Sequence, residues 1–154
     1  MRAFFGGLIQ NRPFLAAGTG WAVAQIIKAI LYLIMNKEFK LERLFGAGGM
    51  PSSHSATVCA FVVVTYTEYG SASFQFAVAM LLAIIVIYDA RGVRYETGKQ
   101  AVVLNKLIDD IMTESDPDLV LPKLKELVGH SPLQVFVGAL LGLLVGALYA
   151  IFAY

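Results

Sequence analysis

The sequence predicts an all-α fold: an integral membrane bundle of about four transmembrane helices, with short amphipathic helices outside it. Composition gives two reasons. Hydrophobic residues form 58% of the 154-residue chain and its mean hydropathy is +0.69, whereas only 15% of residues are charged, against about 25% in a soluble domain. The third reason is that the apolar residues are grouped into runs of helical length. A single membrane domain, residues 1–154, is expected at this length.

The first run, about Phe14 to Met35, is long enough to cross a bilayer and follows an amphipathic lead-in at residues 1–12. It contains one charged residue, Lys28, which lies one turn after Gln25. A lysine within a span is rare and usually faces the bundle interior or water, which makes Lys28 a candidate site residue. The alternative is a lysine whose ammonium reaches the membrane interface along its own stem.

The polar loop at residues 36–54 ends in a glycine-rich turn that leads into a helix. The turn reads Gly48-Gly49-Met50-Pro51-Ser52-Ser53-His54. Glycine permits backbone conformations closed to other residues, proline suits a helix start, and Ser52 or Ser53 is a natural N-cap. Backbone N–H groups, hydroxyls and the His54 imidazole thus gather at the positive end of a helix, where phosphate can bind. The alternative is an ordinary capped helix after a polar loop.

Two shorter runs, about Ser55 to Tyr69 and about Phe74 to Tyr88, are joined by a tight turn at residues 70–73. Each has roughly 15 residues, fewer than the roughly 20 of a full span. The close connection predicts a helical hairpin that is thinner than an average bilayer unless its ends extend.

Residues 89–131 form the one long polar region. Leu104, Leu107, Ile108 and Ile111 recur at helical spacing and predict an amphipathic helix. A second amphipathic helix, which begins at Asp116-Pro117, is predicted from Leu121, Leu124, Leu127 and Val128. Both are expected on the membrane surface or over the bundle. The same region carries an acidic run, which is typical of a solvated face, with a metal site as the alternative; its members are Asp109, Asp110, Glu114, Asp116 and Asp118.

The last run, about Leu133 to Tyr154, is a clear span that carries Gly138, Gly142 and Gly146. This small-xxx-small spacing lets helices approach closely. It predicts packing either inside the bundle or between two copies, so a homodimer through these three glycines is one expected partner contact.

Four spans alternate in direction, which places both histidines, His54 and His130, at helix N-termini on one face of the membrane. Most loop Lys and Arg residues share that face: Lys37, Lys40, Arg43, Arg91, Arg94, Lys99, Lys106, Lys123 and Lys125. Arg2 and Arg12 lie on the other face. Because excess Lys and Arg marks the cytoplasmic side, we predict that the polar face and its site are cytoplasmic.

These residue types suit phosphoryl transfer. The reaction needs cations and backbone donors around the phosphoryl oxygens, a nucleophile, and an acid for the leaving group. Arginine binds phosphate through two parallel hydrogen bonds, and histidine can be nucleophile or acid near neutral pH. One histidine in each role predicts a phosphoesterase that needs no metal or other cofactor. A lipid phosphate is the expected substrate because the site opens beside the bilayer, and no nucleic-acid partner is expected.

Three motifs together resemble the divergent branch of the type 2 phosphatidic acid phosphatase superfamily, which includes vanadium-dependent haloperoxidases. They are Gly49-Met50-Pro51-Ser52-Ser53-His54-Ser55-Ala56, Tyr88-Asp89-Ala90-Arg91-Gly92-Val93-Arg94, and His130-Ser131-Pro132-Leu133-Gln134 with the four residues after it. The resemblance implies His130 as the nucleophile that forms a phosphohistidine and His54 as the acid for the leaving group. It implies phosphate binding by the remaining matched residues, Lys28, Arg43, Ser52, Ser53 and Arg94.

The chain departs from the wider superfamily pattern in its third motif. Arg94 and His130 are separated by 35 residues instead of a handful, and Gln134 stands where an Asp usually orients the nucleophilic histidine. A glutamine accepts a hydrogen bond but does not stabilise an imidazolium as a carboxylate does. Asp89 is a second candidate for the orienting role. The departure favours an alternative function, a non-catalytic membrane protein that retains an anion or lipid-headgroup pocket.

Overall fold

The computed structural model describes residues 2–38, 49–115, 122–124 and 129–153, and all regular secondary structure within them is helical. The helices are α1 (Arg2–Gln10), α2 (Arg12–Asn36), α3 (Ser53–Tyr69), α4 (Phe74–Arg91), α5 (Val93–Ser115) and α6 (Pro132–Ala153). The predicted all-α class is confirmed.

Within the described residues, three helical runs are long and apolar enough to cross a membrane. They are Arg12–Asn36, Phe74–Asp110 (α4 with most of α5) and Pro132–Ala153. Helix α3 has 17 residues, about 25 Å of helix against a hydrocarbon core of about 30 Å. The described residues therefore form a helical membrane bundle with three such runs and a shorter α3, where the sequence predicted about four spans.

Helix α3 occupies the centre of this bundle and packs against α2, α4 and α6. Its buried residues include Ala56, Ala60 and Val64, all fully enclosed. A helix that is buried on several sides needs no polar face, which explains its unbroken apolar run from Val58 to Val64. Small side chains let its neighbours approach closely: an added Cβ at Gly20 of α2 would lie 2.8 Å from the Ala56 carbonyl oxygen.

The three glycines of α6 are covered by α3 of the same chain. Added Cβ atoms would collide with Ser52 at Gly138 and with Ala56 at Gly142, and would lie 2.8 Å from Val63 Cβ at Gly146. All three glycines are buried. Of the two alternatives that the spacing left open, packing inside the bundle is the one observed. The three glycines thus contact α3 of the same chain, and the homodimer stays a prediction.

The polar region differs in its boundaries from the sequence prediction. Helix α4 continues past Tyr88 to Arg91, because the Gly92 N–H still donates to the Tyr88 carbonyl at 2.8 Å. On α5 the predicted stripe points outward, with Leu104 and Leu107 exposed, while Ala101 and Asn105 are buried. The second predicted amphipathic helix lies mostly outside the described residues; its described part, residues 122–124, is not helical.

Candidate phosphate site

The two histidines of the chain lie side by side at the starts of α3 and α6. Their ring centroids are 5.9 Å apart and the rings meet edge to face. His130 is buried, with 3% of the residue exposed, whereas His54 is exposed. The N-termini of α3 and α6 also meet here, and each contributes a partial positive charge.

His130 is held by both of its neighbours in the fold. Its backbone N–H donates to the Ala90 carbonyl at the end of α4 at 3.1 Å. Its Nδ1 lies 3.3 Å from Gln134 Oε1. The backbone of His130 is thus held by α4 and its imidazole by α6.

Gln134 also completes a capping box at the start of α6. Its Oε1 accepts from the Ser131 N–H at 3.1 Å, and its own N–H donates to Ser131 Oγ at 3.3 Å. The Ser-x-x-Gln spacing is a sequence signature of this motif, and reading it would have assigned Gln134 a structural role beside its orienting one. One oxygen atom therefore serves both the helix cap and the His130 ring.

The surroundings of His130 favour its neutral form. Burial lowers the pKa of His130 most strongly, and the charges of His54 and Lys28 lower it further. The hydrogen bond with Gln134 and the backbone of Gly49 act in the opposite direction but do not outweigh burial. A neutral imidazole retains the lone pair that a nucleophile needs.

Lys28 lies in the interior of the bundle, with 5% of the residue exposed. Its Nζ donates to Gln25 Oε1 at 2.8 Å. Gly49 rests on its stem, since a Cβ built on Gly49 would lie 3.3 Å from Lys28 Cγ. The interior position excludes the interfacial lysine that the sequence left as an alternative. Gln25 was not predicted as a site residue, although its spacing of three from Lys28 was visible.

Ser52 has a structural role at the junction of α3 and α6. Its N–H donates to the Gln134 carbonyl at 3.0 Å, and its fully buried Oγ accepts from Ser55 Oγ at 3.1 Å and from the Ser55 N–H at 3.4 Å. This link engages the Ser52 N–H, and phosphate binding by the Ser52 hydroxyl stays a prediction. Ser53 is the first residue of α3, is buried, and directly precedes His54.

The remaining predicted residues are placed only in part. Arg43 lies outside the described residues, and Arg94 lies in the first turn of α5. Asp89 is half-buried in the last turn of α4, next to the Ala90 carbonyl that binds His130. The described site thus joins His54, His130, Lys28, Gln134 and the start of α3.

The acidic run does not assemble into a metal site in the described part of the chain, where no group of three His, Cys, Asp or Glu side chains has metal-binding geometry. Asp109 and Asp110 are exposed on α5, and Asp109 Oδ2 pairs with Lys123 Nζ at 2.9 Å. The other members of the run lie outside the described side chains.

Known proteins match nearly the whole chain. A family model described as Divergent PAP2 family matches residues 9–145, which include both histidines, Lys28 and Gln134. The Bacillus subtilis (strain 168) protein YuiD, described as an uncharacterized membrane protein, is 38% identical over 154 residues, covering 94% of this chain and 98% of YuiD. No solved structure matches the chain.

Proposed function

Because this chain belongs to the Divergent PAP2 family, we propose that it is a membrane phosphatase that hydrolyses a lipid phosphate without a metal ion. The observation that carries the proposal is the pairing of the His54 and His130 rings at 5.9 Å. The buried Lys28 belongs to the same site, because its stem contacts Gly49, whose backbone hydrogen-bonds His130. A nucleophile, an acid and a cation are the groups that phosphoryl transfer requires.

His130 is the proposed nucleophile. Gln134 Oε1 already accepts from the Ser131 N–H, so its contact with His130 Nδ1 favours a proton on Nδ1 and leaves the lone pair on Nε2. Nε2 attacks phosphorus, a P–N bond forms, and the P–O bond to the lipid breaks. His54, protonated at the start, gives its proton to the departing alkoxide, and the lipid alcohol leaves.

Water completes the reaction. Neutral His54 now takes a proton from a water molecule, whose oxygen attacks the phosphorus of the phosphohistidine. The P–N bond breaks, inorganic phosphate leaves, and both imidazoles return to their starting states. Lys28 and the N-terminus of α3 stabilise negative charge on the phosphoryl oxygens in both steps.

A phosphate on a membrane lipid, such as phosphatidic acid or an isoprenyl phosphate, is the proposed substrate class. The supporting observation is position, because the two histidines lie at one end of a bundle whose α2, α4 and α6 expose many large apolar side chains. The excess of Lys and Arg in the loops on the histidine side supports a cytoplasmic location for the site.

Phosphate release by the purified protein tests this function. We expect the wild type in detergent to release phosphate from phosphatidic acid or an isoprenyl phosphate in excess chelator, and His130→Ala to fall to the background rate. Because the chain has two histidines, the acid-labile phosphoryl group trapped by rapid quenching of the wild type should map to the peptide that carries His130 and not to the one that carries His54. Unchanged release by His130→Ala would exclude His130 as the nucleophile.

A second function, anion binding without turnover, is favoured by one observation. Gln134 offers His130 a neutral oxygen where a carboxylate would stabilise an imidazolium. This alternative predicts saturable binding of phosphate or vanadate with no release of phosphate from any lipid substrate. Turnover that disappears in His130→Ala would exclude it.

A further inference from the structure

Gln25 and Lys28 form a closed pair within the bundle. They lie three residues apart on one face of α2, a spacing at which helical side chains meet. Only 6% of Gln25 and 5% of Lys28 are exposed, and Lys28 Nζ donates to Gln25 Oε1 at 2.8 Å. Two long polar side chains have therefore been brought into the apolar interior together.

The partner of this ammonium is neutral. A buried charge is costly unless it is paired, and an ionised partner is the usual solution within a membrane. The amide oxygen of Gln25 satisfies one of the three N–H donors of Lys28 and supplies no negative charge. The nearby imidazoles of His54 and His130 are neutral or cationic, so they supply none either.

The space beside Lys28 is shaped by a glycine. Gly49 adopts a φ of +82°, and its Cα rests on the Lys28 stem closely enough that a Cβ would lie 3.3 Å from Cγ and 3.4 Å from Cδ. The stem is thus enclosed between α2 and the turn before α3, and its ammonium is held at Gln25.

We propose that Gln25 is a positioning residue for the phosphate site: its side-chain oxygen fixes the Lys28 ammonium, and its neutrality leaves the charge of Lys28 for the bound anion. The inference rests on the proposed function for the identity of that anion, a phosphate group. Glutamate at position 25 would keep the hydrogen bond but compensate the charge in advance, so the anion would gain less on binding.

The decisive variant is Gln25→Glu, because it exchanges amide for carboxylate at nearly constant shape. We expect inorganic phosphate and vanadate to bind the detergent-purified variant at least about tenfold more weakly than the wild type. The matched control is Gln75→Glu on α4, since Gln75 is exposed and lies at the opposite end of the hairpin from His54. It should bind both anions as the wild type does.

A second measurement follows the site without any ligand. NMR titration of the two histidines reports the His130 pKa directly, and His54→Gln assigns the signals. In the described part of the chain, the charged or titratable groups on the elements around His130 include Lys28 on α2, His54 on α3, and Asp89 and Arg91 beside Ala90 on α4; Arg94 is nearby in sequence on α5. We expect Gln25→Glu to raise the His130 pKa, because the new carboxylate offsets the effect of Lys28. An unshifted pKa would mean that a charge at position 25 does not act on the site through Lys28.

Gln25→Met covers the case in which a glutamate prevents folding. Methionine keeps the length and apolar packing but removes the acceptor, so Lys28 is no longer held and phosphate affinity should fall. Wild-type affinity in both variants, or an unshifted His130 pKa in folded Gln25→Glu, would overturn the role of Gln25. These measurements require no turnover, so an inactive wild type would contradict the phosphatase alone.

Discussion

Asn105 on α5 and Leu124, in the segment at residues 122–124 that follows α5, are joined by two hydrogen bonds. The Asn105 amide donates to the Leu124 carbonyl at 2.9 Å and accepts from the Leu124 N–H at 2.8 Å. Asn105 is buried, and the adjacent pair Lys123–Asp109 spans 2.9 Å. These two hydrogen bonds from one side chain to the backbone of one residue fix residues 122–124 against α5, shortly before the chain reaches His130.

Removing the Asn105 amide should weaken the packing of residues 122–124 against α5. We expect Asn105→Ala to lower stability by about 1–3 kcal/mol, because the N–H and the carbonyl of Leu124 both lose a hydrogen-bond partner at a partly buried position. Thermal unfolding in detergent measures the loss, and protease cleavage near residue 124 should accelerate. The control is Asn36→Ala, which removes a single exposed hydrogen bond to the Tyr32 carbonyl. Equal stability of the two variants would argue against the role of Asn105.

The turn at Gly49 can be tested against a second glycine of similar φ. Gly49 and Gly70 have φ values of +82° and +76°, but a Cβ meets Lys28 only at Gly49 and nothing within 4 Å at Gly70. Alanine should cost about 1–2 kcal/mol of stability at either position through backbone strain. Only Gly49→Ala should also weaken phosphate binding, because it displaces the Lys28 stem. Equal loss of phosphate affinity in both variants would contradict this contact.

Close packing of α6 on α3 predicts a cost for the smallest enlargement of Gly142. An added methyl would collide with Ala56 of α3, so Gly142→Ala should destabilise the bundle by about 1–3 kcal/mol. Gly18→Ala on α2 is the control, since nothing lies within 4 Å of its added Cβ and alanine favours a helix by about 1 kcal/mol. Thermal unfolding should separate the two variants in opposite directions. If Gly142→Ala is as stable as the wild type, α3 and α6 do not meet as described.

The buried state of His130 predicts a pH dependence of stability. Its folded pKa lies below the ordinary value of 6.5, chiefly through burial. The unfolded chain therefore binds the proton more readily than the folded chain. The contribution of neutral His130 to folding stability is complete above pH 6.5 and is lost as the pH falls through the folded pKa. The wild type should lose thermal stability on acidification below about pH 6.5 more steeply than His130→Gln. Parallel pH profiles for the two proteins would exclude this linkage.

The sequence predicted the parts of the site that depend on residue type and local order. Lys28 stands out because a charge within a span is rare, and His54 and His130 both precede apolar helices. The partner of the glycines could not be predicted, because spacing fixes a helix face and does not identify the helix opposite. The end of α4 was misplaced for a similar reason. Asp89 and Arg91 look like the start of a loop, but backbone hydrogen bonds carry the helix on to Arg91.

A tertiary contact engages the backbone N–H of Ser52. Its position before α3 predicted a donor for phosphate, yet its N–H bonds the Gln134 carbonyl of a helix that begins about 80 residues later in the chain. No local pattern contains that contact. The Gln134 cap, by contrast, was readable from Ser131 and its spacing alone.

The unequal exposure of the two imidazoles sets an order of events in the proposed reaction. His54 faces outward while His130 is enclosed, so the pair is reached from the His54 side. The cleaved alcohol must then leave, and the water must enter, by the same route past His54, one after the other. A bulky alcohol that lingers at His54 would shield the phosphohistidine from hydrolysis, and added acceptor alcohols would compete with water for the phosphoryl group.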